Sequence, residues 1–156
     1  MIPELQPGDG IIYTGSTWYD RIQEVKLGSD ATHFEVYMGD GMGSDMVATS
    51  LLATGVDIYP MSSDEILRII RPLAAFDGAD AMMKFSNTIR FKPYGLKGLL
   101  NFTDRSVPDD GIFCSQVGVE LYRSQGIEPF NAKVEARKVA PMHFLYVSDK
   151  VFEIIY

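Results

Sequence analysis

A single cysteine in 156 residues removes the internal disulfide from the forces that hold this chain together, and that usage suits a reducing compartment. The same cysteine and only two histidines lie far apart, without the paired spacing of a zinc site, so no metal is expected. No motif calls for an organic cofactor either. Basic charge is also scarce. Fourteen Lys and Arg against 21 Asp and Glu leave a net charge of −7, which argues against a general nucleic-acid role. Lys84, Arg90, Lys92 and Lys97 come nearest to a basic cluster and read as a solvated helix face and loop. No run of about 18 apolar residues exists, which argues against a transmembrane helix. Residues 1–9 are neither basic nor apolar enough for a signal peptide. The expectation is a cytoplasmic protein, or one carried with a phage or virus particle.

What remains is an ordinary globular composition, 46% hydrophobic and 22% charged, expected to form one domain over residues 1–156. A Pro-Gly turn at residues 5–10 precedes the apolar strand Gly10–Tyr13, and Ser16 to Leu27 carries Trp18, Ile22 and Val25 at near-helical spacing. Ala31 to Met38 alternates as a strand. The Gly39-Asp40-Gly41 turn leads to a partner strand over Asp45–Ser50, and residues 39–45 lack the glutamate and spacing of a calcium loop. Gly55–Pro60 and Ile66–Arg71 read as further strands, and Phe76–Arg90 as a helix ended by Pro93. Residues 104–111 read as a loop. A second helix runs from about Cys114 to Ser124 with Gly126 as its C′ residue, and Phe144–Ser148 is expected to be a tail strand. The pattern is α+β, strands first and helices after.

Cys114 opens its helix, where unpaired N–H groups and the positive dipole end favour a thiolate. His33 sits on the strand Thr32-His33-Phe34-Glu35-Val36-Tyr37, far upstream. A lone cysteine and a distant strand-borne histidine are the arithmetic of a nucleophile and its base. His143, the only other histidine, follows Pro141-Met142 in the tail. Glu35 is two residues beyond His33, so strand alternation puts both side chains on one face.

Leu5-Gln6-Pro7-Gly8-Asp9-Gly10-Ile11-Ile12, Thr32-His33-Phe34-Glu35-Val36-Tyr37-Met38-Gly39-Asp40-Gly41, Gly55-Val56-Asp57-Ile58-Tyr59-Pro60, Lys92-Pro93-Tyr94-Gly95 and Phe113-Cys114-Ser115-Gln116-Val117 follow in order along most of the chain. Together they resemble the circularly permuted NlpC/P60 proteins, papain-like thiol hydrolases of the YiiX type, in which histidine precedes cysteine. The resemblance implies a small antiparallel, barrel-like sheet carrying His33, packed against the helix that presents Cys114. It implies hydrolysis of an amide or ester, in a peptide, a small molecule or a lipid-linked substrate, through an acyl-enzyme on Cys114 with His33 as base. The group that orients the histidine often comes from the next strand in such proteins; here that strand offers only Thr49 and Ser50, which leaves Glu35, Thr49 and Ser50 as candidates. Tyr94 resembles the tyrosine these proteins place beside the site, suited to an oxyanion, and Asp9 is a secondary candidate for lining the cleft. Two other readings stay open. A binding protein could keep the fold without the chemistry, and an acyltransferase akin to lecithin–retinol acyltransferase would expect an Asn-Cys-Glu-His type sequence, from which Phe113-Cys114-Ser115-Gln116 departs.

Overall fold

Among the described residues the strands are β1 (Gly10–Thr14), β2 (His33–Gly41), β3 (Ser44–Leu51), β4 (Gly55–Pro60), β5 (Glu65–Pro72) and β6 (Phe152–Ile154). They form one sheet in the order β4-β3-β2-β1-β5-β6, and each neighbouring pair is antiparallel. The structure, a computed structural model, describes residues 2–15, 28–41, 43–95 and 111–156. The helix expected over 16–27, most of the loop at 104–111 and Lys97 lie outside the described residues. No pairing between β4 and β6 closes the sheet among the described residues. None of the described helices is long and apolar enough to cross a membrane.

Strand alternation gives the sheet two apolar faces. Ile12, Phe34, Val36, Ala48, Val56 and Ile70 face the helices. Ile11, Tyr13, Tyr37, Val47 and Ile69 form a second cluster beneath Leu5, Tyr59, Met61, Ile66 and Ile155. The expected strand after residue 64 is present as β5, and Asp40 and Gly41 pair with Asp45 and Ser44 at the end of the β2–β3 ladder.

Helix α1 spans Gly78–Thr88, shorter at both ends than the apolar spacing implied. Asp77 sets its start by accepting from the Ala79 and Asp80 N–H groups at 3.0 Å. Helix α2 spans Cys114–Ser124, and Gly126 follows its C-cap at φ 72°. Gly118, on the same side of α2 as Cys114, fixes how close this helix comes to the sheet. A Cβ there would fall 2.2 Å from the Phe34 ring, so only glycine lets α2 settle directly on β2.

The tail corrects the expected strand at Phe144–Ser148. Pro141–Tyr146 is a 3₁₀ stretch, and the pairing strand is β6, against β5. Pro141 starts the tight turn, and Phe144 drops inward to stack on Phe34 at 3.8 Å. A short apolar run imitates a strand because its period is too brief to separate the two.

Candidate active site

β2 begins at His33 and α2 begins at Cys114, and the packing of α2 across β2 and β3 brings the two ends together. Phe113 caps α2 in an extended conformation without a side-chain hydrogen bond, and no acidic residue stands in the first turn. The positive end of the helix is therefore left to the Cys114 sulfur. The Ser115 hydroxyl donates to the Val139 carbonyl at 2.6 Å and fixes the helix start from below. Cys114 is 3% exposed.

Two side chains reach the same ring nitrogen of His33. Glu35 Oε1 lies 3.1 Å from Nε2, and Thr49 Oγ1 lies 3.5 Å from it. That leaves Nδ1 as the nitrogen for Cys114. Burial works to lower the histidine pKa, but the adjacent Cys114 and then Glu35 outweigh it and push it up to about 10. Besides the contacts at Nε2, the ring interacts with the Cys114 side chain, the largest influence raising its pKa.

Glu35 is 2% exposed, and its second oxygen accepts from the Ser62 N–H at 3.3 Å. Thr49 donates to the Phe34 carbonyl at 2.8 Å, so its hydroxyl proton is already committed. Ser50 does not join the group. Alternation places it with Ala48 on the helix-facing side, buried and without a hydrogen-bond partner for Oγ. Asp9 is absorbed elsewhere: its fully buried carboxylate takes the Arg71 guanidinium at 2.7 and 2.8 Å and the Gln6 N–H at 2.8 Å. His143 is held in its own turn, where the Ala140 N–H donates to Nδ1 at 2.8 Å.

Tyr94 makes a backbone bridge to Ile112, two residues before Cys114, with its ring edge-on to Phe113 at 5.7 Å. Tyr13 and Ser62 are members of this neighbourhood that the sequence reading missed. Tyr13 stands directly opposite His33 in the β1–β2 pairing, with ring centroids 6.0 Å apart. That register is a long-range property, and no local signal carries it.

No protein-family model and no curated protein matches the chain. Among solved structures it is similar to the crystal structure of the metalloprotein YiiX from Escherichia coli O157:H7, a DUF1105 protein. The TM-score is 0.64 over 97% of this chain and 96% of that one, at 14% sequence identity. The shared feature is the fold. Among the described residues here, no group of three His, Cys, Asp or Glu side chains is placed to hold a metal ion.

Proposed function

We propose that this protein is a cysteine hydrolase of the permuted NlpC/P60 kind, cleaving an amide or ester through an acyl-enzyme on Cys114. The observation that carries the reading is a single imidazole placed between a helix-start cysteine and a buried carboxylate. In this scheme the Cys114 thiolate attacks the carbonyl carbon while His33 holds the proton on Nδ1. The tetrahedral oxyanion takes the Cys114 N–H, with the Tyr94 hydroxyl assigned to the same oxygen. His33 then protonates the leaving amine or alcohol, and the thioester forms. Water attacks the thioester as His33 takes its proton back, and the thiolate leaves. Glu35 keeps the other proton on Nε2 and the ring in its plane.

The test is the pH dependence of Cys114 alkylation by iodoacetamide in the wild type and in His33→Ala. Reactivity is expected to persist well below the ordinary thiol range of about 8.5 and to return toward it in His33→Ala. Hydrolysis is expected to fall as the pH rises through about 10, where His33 loses the proton that the leaving group needs. A slow, ordinary thiol indifferent to His33 would sink the proposal and leave a binding protein on the same fold.

A further inference from the structure

Burying a phenol without a hydrogen-bond partner is costly, and Tyr13 does so at the centre of the sheet. It is fully buried, and its hydroxyl meets no partner in hydrogen-bond geometry. The hydroxyl nonetheless faces the Glu35 carboxylate. Among the described residues Glu35 accepts a 3.1 Å contact from His33 and a long 3.3 Å contact from Ser62, and a carboxylate has room for about four donors. An acceptor with room for the phenol and a donor without a settled partner thus stand side by side. The backbone is shaped around this point as well: the β1–β5 register shifts between Ile12 and Tyr13, and the Thr32 N–H donates to the Tyr13 carbonyl at 3.0 Å.

We infer that Tyr13 is a positioning residue for the hydrolysis proposed above, its phenol closing on Glu35 to hold that carboxylate charged and aligned on His33. The inference rests on that reading. During turnover His33 alternates between imidazolium and neutral ring, so Glu35 alternately gains and loses a cationic neighbour. A phenol supplies a donor in both states. Burial, and then the Glu35 charge, keep it protonated far above its usual range. The groups facing Tyr13 are His33 and Glu35 from β2, Asp45 from β3 and Asp64 from the turn after β4, while β5 contributes the apolar Ile66. Cys114 faces His33 from α2. Asp64 is itself occupied by the Ser62 hydroxyl at 2.9 Å, which leaves Glu35 as the carboxylate the phenol serves.

Tyr13→Phe removes one oxygen and no packing, which separates positioning from structure. The measurement is the alkylation profile of Cys114 together with the melting temperature, in wild type, Tyr13→Phe, Glu35→Gln and the double variant. The acid limb of reactivity is expected to move up by about one pH unit in Tyr13→Phe, the loss of one charge-assisted hydrogen bond. Melting is expected to stay level, since the lost contact with Glu35 is offset by no longer burying a hydroxyl. In the Glu35→Gln background the substitution is expected to change nothing further, because the two residues act in series. A perturbed wild-type profile that Tyr13→Phe leaves in place overturns the role of Tyr13 alone. So does a shift that survives in full without Glu35, or one accompanied by a drop in melting temperature. An ordinary thiol profile in the wild type overturns the hydrolase reading, and the role of Tyr13 with it.

Discussion

Glu35 and Thr49 reach the same nitrogen of His33 on different terms. The Thr49 proton is spent on the Phe34 carbonyl, and its oxygen stands at the long limit of a hydrogen bond from Nε2. Glu35 is closer and buried, and a carboxylate in that place both fixes the tautomer and favours an imidazolium. Glu35→Gln is expected to lower kcat/KM on a p-nitrophenyl ester by on the order of 10²–10⁴. Thr49→Val is expected to cost less than about tenfold in activity and about 0.5–1.5 kcal/mol in stability, read from the denaturation midpoint. An order of effects reversed between the two would contradict the assignment. The His33–Glu35 relation was legible in the sequence because a strand repeats every two residues. Tyr13 was not legible, since which residue lies opposite His33 depends on how β1 docks.

Helix α2 carries its own address. Cys114 opens it, Gly126 closes it and Gly118 seats it, and the first two signals are local enough to read from the chain. The third is a tertiary fact. Nothing in Gln116-Val117-Gly118-Val119 says that Phe34 will lie 2.2 Å from an added carbon. Gly118→Ala is expected to lose about 1–3 kcal/mol from overpacking, despite the better helix propensity of alanine. Because the helix must back away from β2, the same variant is expected to slow Cys114 alkylation at neutral pH. A stabilised variant with unchanged thiol reactivity would show that the contact is slack. The tail was misread for a related reason. Phe144 is apolar for the sake of Phe34, not for a strand pattern.

At the scale of the whole molecule, Asp9 ties the opening turn to β5 through Arg71. The two ends of that ion pair are not equivalent. Asp9 is wholly buried, whereas Arg71 keeps 20% of its side chain exposed. Arg71→Met strands a buried carboxylate and is expected to cost about 3–5 kcal/mol, while Asp9→Asn, which leaves a cation that can reach water, is expected to cost less. Urea denaturation of the two variants checks the asymmetry, and equal losses would contradict it.

The anchorage of Ser115 on Val139 sets an order of events during synthesis. The start of the helix that opens at Cys114 rests on a carbonyl some way downstream, and Phe34, next to His33, is stacked on Phe144. A nascent chain that has emerged from the ribosome only as far as residue 130 holds both His33 and Cys114 but lacks the floor that seats them. On the proposed function, chemical competence is expected to arrive late, with the last stretch of polypeptide, and a partly made copy to carry an unremarkable thiol.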